Sequence, residues 1–136
     1  MGLIDELNER AKDEITIVTG IDALIDTCYN ASYEAGWWHD LNTGEKLQRN
    51  KGEMLMLMVS EIAEGMEAVR KNLMDDKLPD RPGIEVELAD CVIRIADYCG
   101  GFDLDLGGAI VEKLEYNRNR ADHKIENRQK DGGKSF

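Results

Sequence analysis

Along residues 51 to 72, apolar side chains recur at intervals of three and four, the period of a helix and not of a strand. With about 100° of turn per residue, Met54, Leu57, Met58, Gly65 and Ala68 fall within one arc. Glu61 sits near the middle of that arc and Glu64 at its edge. Carboxylates aimed at a core need a chemical reason, because a buried charge is costly unless it is paired, protonated or bound to a cation.

The same period predicts three more helices. Ile21, Leu24, Ile25, Cys28, Ser32 and Ala35 mark a helix over residues 21 to 35. Before it, Leu3, Ile4, Leu7 and Ala11 fit either a short amphipathic helix or an arm lying on a partner subunit. "GWWHDLNTGEKLQRN" reads as a connector with glycines at 36 and 44 as breakers, and "DDKLPDRPG" as a loop, since it holds both prolines of the chain. A third helix is expected over 84 to 98, ending at Gly100 and Gly101. Asp103 or Asp105 then caps a fourth over roughly 105 to 121, and the polar tail frays. No segment alternates with period two, so the expected architecture is all-α, a single domain over 1 to 136 built as a bundle of four to five helices.

On the third helix, Val86, Leu88, Ala89, Val92, Ile93, Ile95, Ala96 and Cys99 share one broad face. Glu87, Asp90, Arg94 and Asp97 lie on the other side, with Asp90 and Asp97 bordering the apolar stripe. Two helices that each offer acids at i and i+3, "EIAE" and "ELAD", can face one another so that Glu61, Glu64, Glu87 and Asp90 converge. Like charges at that range raise one another's pKa, and bound cations relieve them. All-oxygen ligands without histidine or cysteine suit Mg²⁺ or Mn²⁺ and not Zn²⁺. On the fourth helix, Lys113, Tyr116, Asn117 and Arg120 form one stripe suited to phosphate.

Charge sharpens this picture. Seventeen basic and 28 acidic residues give a net charge of −11, which disfavours nucleic acid as a partner. It leaves room for a small phosphorylated ligand that arrives with divalent cations. No stretch reaches the roughly 18 apolar residues of a membrane span, and "MGLIDELNERAKDE" lacks the pattern of a secretory signal, so a soluble, cytoplasmic protein is expected. Cys91 and Cys99 lie about 12 Å apart along one helix, too far for a disulfide. With Cys28 they read as reduced core thiols.

Other chemistries fit poorly. "DLDLGG" resembles the start of a calcium loop, but Leu114 stands where a bidentate glutamate is needed. A di-iron bundle requires E-x-x-H motifs that the chain lacks.

E-x-x-E at 61 to 64, a spacer over 65 to 86 and E-x-x-D at 87 to 90, with lysine, asparagine and arginine downstream, resemble the MazG-type all-α nucleoside triphosphate pyrophosphohydrolases over about residues 50 to 123. The pattern "SEIAEGMEAVRKN…LPDRPGIEVELADCVIRIADYCG" is similar to phage-borne members in particular, and the chain looks compatible with a group called MazZ that removes dGTP or GTP. The resemblance implies hydrolysis of a nucleoside triphosphate to monophosphate and pyrophosphate, in a host cytoplasm if the chain is viral. It implies two or three Mg²⁺ or Mn²⁺ ions per site on Glu61, Glu64, Glu87 and Asp90, with Glu64 and Glu61 catalytic. Lys113, Asn117 and Arg120 would hold substrate phosphates, and the chain would assemble as a homodimer or homotetramer. Trp37 and Trp38 fit either base stacking or anchoring of a core or interface. The competing expectation is a non-catalytic acidic helical oligomer that binds a partner protein.

Overall fold

A computed structural model describes residues 2–135. Its elements are α1 (Leu3–Glu34), α2 (Lys51–Lys71), α3 (Gly83–Gly101), α4 (Leu106–Asn119), a 3₁₀ turn (Ala121–His123) and a short α5 (Ile125–Arg128). Among the described residues there is no β-strand, only two isolated bridges, His39 with Lys46 and Met74 with Pro82. The all-α expectation therefore holds. Among the described residues no helix is long and apolar enough to cross a membrane.

Contacts divide the chain into two compact units, one of residues 23–104 and one combining the residues up to 22 with those from 105 onward. In the second of these, α4 is capped by Asp105, whose carboxylate accepts the Gly108 N–H at 3.0 Å. Gly107 there abuts the α1 backbone, so closely that a Cβ at 107 would lie 3.2 Å from the Val18 Cα.

Unit 23–104 is organised by the hairpin of α2 and α3, which pack against each other. Asn50 caps α2 by accepting the Glu53 N–H at 3.0 Å. Arg70 and Lys71 stand in the last turn, where cations complement the helix dipole. Asn72 then takes a left-handed conformation (φ 51°) and returns its N–H to α2 carbonyls. The proline loop is closed by Asp75, whose carboxylate accepts the Lys77 and Leu78 N–H groups and whose own N–H bonds the Arg81 carbonyl. Gly65 sets how near the helices come: a Cβ there would meet Ile84 Cδ1 at 2.9 Å and Glu87 Cβ at 3.5 Å. The small residue thus brings Glu87 against α2.

The second anchor is aromatic. Trp38, 1% exposed, lies edge-on to Tyr29 (5.7 Å between centroids) and Phe102 (5.5 Å), and the Arg49 guanidinium stacks over its ring at 5.1 Å. Its indole N–H donates to Asp97 at 2.7 Å, and Asp97 also accepts from the Ser32 hydroxyl at 3.0 Å. Trp38 is a core anchor, whereas Trp37 is 63% exposed.

Two expectations change. Residues 3 to 34 form one continuous helix instead of a short segment followed by a helix over 21 to 35. The third helix runs through Gly100 and Gly101 because these glycines seat Tyr29 and Trp38 against it: a Cβ at 101 would fall 2.0 Å from the indole. The apolar face of α3 is only partly buried: Cys91, Ala96 and Cys99 are inside, while Leu88, Val92 and Ile93 are exposed and Glu87, Asp90, Arg94 and Asp97 are half-buried. All three cysteines are free thiols, with Cys91 and Cys99 buried and Cys28 partly so.

Candidate metal centre

The side of α2 that carries Glu61 is its packing face, with Met54, Glu61, Gly65 and Ala68 all buried. Each successive pair on this list is three, four or seven residues apart, so the backbone leaves Glu61 no route out of the interface. From α3, Glu87 and Asp90 approach at the level where Gly65 admits the helix. Glu61, Glu87 and Asp90 each offer a carboxylate oxygen, and these oxygens lie within 4.8 Å of one another. Glu64 stands outside this trio and is exposed. Its charge nevertheless acts on Glu87.

The cluster is electrostatically stressed. Glu87 is pushed up from 4.5 to about 7, first by desolvation, then by its close approach to Glu61 and by the charge of Glu64. Asp90 is raised as well, by desolvation and then by Glu61, with Arg94 partly offsetting the effect. The Oε2 atom of Glu87 is shut off from solvent without a hydrogen-bond partner. Beside two other carboxylates such an oxygen is satisfied either by a proton shared with a neighbour or by a cation. Opposite ligands of one Mg²⁺ at about 2.1 Å each stand about 4.2 Å apart, a separation allowed by the 4.8 Å limit on the trio. The donor set therefore fits a hard divalent ion, and it contains no nitrogen or sulfur that would favour zinc.

These shifts give a signed pH effect. Because folded Glu87 keeps its proton up to about pH 7, the folded chain binds more protons than the unfolded one between roughly pH 4.5 and 7. Stability from this group is fully present below the unfolded-state pKa and is lost as pH rises through about 7. The metal-free protein is expected to melt several degrees lower at pH 8 than at pH 5.5, and Glu87→Gln should flatten that dependence. A melting temperature that climbs over this interval contradicts the assignment.

One partner was not legible as such in the sequence. Arg94 donates through Nε to Glu61 Oε1 at 2.7 Å, an ion pair across the hairpin. Its position seven residues after Glu87 and four after Asp90 places it on the same helix side, which is the signal that could have found it. Beside the trio, a cavity of about 620 Å³ opens between the C-terminal part of α1, α2 and α3, lined in part by Trp37, Arg49, Glu53 and Arg94.

Lys113, Asn117 and Arg120 belong to the other compact unit. Lys113 Nζ lies over the Tyr116 ring at 4.5 Å, and the Asn117 side-chain oxygen is buried without a partner. Arg120 grips Asp122 with two hydrogen bonds of 3.0 and 2.6 Å. A phosphate would have to displace Asp122 from this guanidinium.

Comparison of the chain with protein-family models, curated proteins and solved structures finds no match.

Proposed function

We propose that this chain is a divalent-metal-dependent nucleoside triphosphate pyrophosphohydrolase of MazG type, with dGTP or GTP as favoured substrate and a role in nucleotide-pool control during phage metabolism. The observation that carries the reading is the convergence of Glu61, Glu87 and Asp90 from two helices, with a buried oxygen of Glu87 unpartnered. Solvated surface acids do not leave an acceptor orphaned beside two other carboxylates.

In this reading Glu61, Glu87 and Asp90 hold Mg²⁺ or Mn²⁺, with Glu64 completing the set at its exposed edge. A divalent ion held there would supply charge neutralisation at phosphate oxygens and lower the pKa of the attacking water. Glu64 takes the proton of the attacking water on its carboxylate. The water oxygen bonds to the α-phosphorus, the bond from α-phosphorus to its bridging oxygen breaks, and pyrophosphate leaves with the electron pair. Burial of Glu61 and its bond to Arg94 keep that ligand fixed, so little ordering is required when substrate arrives. A screen of the eight common ribo- and deoxyribonucleoside triphosphates with Mn²⁺ tests the reading through the products: monophosphate and pyrophosphate are expected, fastest with guanine. Diphosphate and orthophosphate would refute attack at the α position, and equal rates for every base would refute the guanine preference.

Assembly into a homodimer or homotetramer is part of the proposal. Leu55, Val59, Ile62, Met66 and Val69 run along α2 at spacings of four and three, and all are roughly half exposed or more. Such a stripe has the seam pattern of helix pairing. The same stripe is what favours the alternative, a non-catalytic acidic oligomer that docks a partner protein. The double change Val59→Lys with Met66→Lys is expected to shift the sedimentation profile to monomer with helicity retained. An unchanged oligomer would place the interface elsewhere.

A further inference from the structure

The cavity beside the trio holds two cations, and the two are not equivalent. Arg49 is committed: its guanidinium stacks on Trp38 and stands 3.8 Å from Asp97, and its side chain is 21% exposed. Arg94 is committed at one atom only. Its Nε bonds Glu61 Oε1 at 2.7 Å, and among the described residues its terminal nitrogens form no further hydrogen bond. Its side chain is 41% exposed and lines the same cavity as Glu61, Asp90, Arg49 and Trp37. Pinned at the base of its planar group, the guanidinium keeps two nitrogen donors available in a fixed orientation at the edge of the metal trio.

We infer that Arg94 is an anion-binding residue of this cavity, gripping a phosphate group of the substrate or the released pyrophosphate with its terminal nitrogens while Nε holds Glu61 in place. The inference rests on the metal-dependent reading above and adds to it a phosphate contact within unit 23–104, which contains the acids. A polyphosphate bridging a divalent ion on the trio needs compensation on its remaining oxygens, and a guanidinium fork matches paired phosphate oxygens in geometry as well as charge. Glu61 links the two tasks, since its carboxylate both accepts from Arg94 Nε and belongs to the trio.

The test uses the full chain, calorimetric titration with Mg²⁺ alone, and then inorganic pyrophosphate at saturating Mg²⁺. Arg94→Gln is expected to bind Mg²⁺ within about threefold of the wild type and pyrophosphate about tenfold more weakly, the scale of one lost charge-assisted contact. Arg94→Lys, which keeps the charge and loses the fork, should fall between them, and it decides the matter if circular dichroism shows Arg94→Gln unfolded. Arg70→Gln, at an arginine paired with Glu67 near the end of α2, should match the wild type. Wild-type pyrophosphate affinity in both Arg94 variants overturns the inference and leaves the metal reading intact. Loss of Mg²⁺ binding in the variants also overturns it, because Arg94 would then act through Glu61 alone. If the wild type takes up no Mg²⁺, the metal reading fails and the inference with it.

Discussion

Glu87→Gln should leave a folded protein that no longer responds to divalent ions. In the wild type, Mn²⁺ at one hundred times its dissociation constant stabilises the fold by about 2.7 kcal/mol, several degrees in melting temperature. In the variant that gain should vanish, and pyrophosphate release from dGTP should drop by roughly a thousandfold, the scale on which loss of an electrostatic stabiliser registers. The fold itself should survive, since glutamine keeps the size of glutamate and removes the carboxyl whose ionisation burial and the nearby Glu61 and Glu64 oppose. Its amide can donate to a neighbouring carboxylate at any pH, as the glutamate does only while protonated. Glu61→Gln is the informative contrast: it should lose the metal response and also destabilise the metal-free chain, because Arg94 forfeits its anionic partner. Thermal melts of both variants with and without Mn²⁺, read beside a pyrophosphate assay, check this. A full Mn²⁺ stabilisation in Glu87→Gln would remove Glu87 from the ligand set.

Trp38→Ala should be the most damaging single change in unit 23–104, at about 3–5 kcal/mol. The indole is fully enclosed, fills the space that Gly101 leaves open, and supports Tyr29, Phe102 and Arg49. Its removal also deprives Asp97 of the 2.7 Å indole N–H bond, leaving a half-buried carboxylate with fewer partners. Since domains of this size are held by about 5–15 kcal/mol, a denaturation midpoint lowered by a large fraction of its wild-type value is expected. Trp37→Ala, at an exposed position, should cost little. Equal midpoints for the two variants would show that the aromatic anchor is not what holds this unit together.

The α2 wheel already marked Glu61 as an intruder in an apolar arc, and burial of Met54, Glu61, Gly65 and Ala68 follows that wheel. The α3 wheel separated an apolar arc from an acid-bearing side without saying which one packs: Leu88, Val92 and Ile93 are exposed, and the side bearing Glu87, Asp90 and Arg94 borders the packed hairpin. Periodicity reports how apolar each face is; it does not report which neighbour each face meets. The glycines at 100 and 101 were read as a helix end for a similar reason, since their close contact with Tyr29 and Trp38 is made by residues far away in the chain.

Local sequence, then, determined the helices, the Asn50 and Asp105 caps, the proline loop and the i, i+3 spacing of the acids, because each depends on neighbours within a turn or two. Tertiary packing decided which acids converge, why Glu64 stands apart from the trio, and that Arg94 and Asp97 are partnered at all. The physical reason is that desolvation, charge crowding and ion pairing act through space over a few ångströms, and only the approach of α3 at Gly65 brings residues more than twenty positions apart within that range.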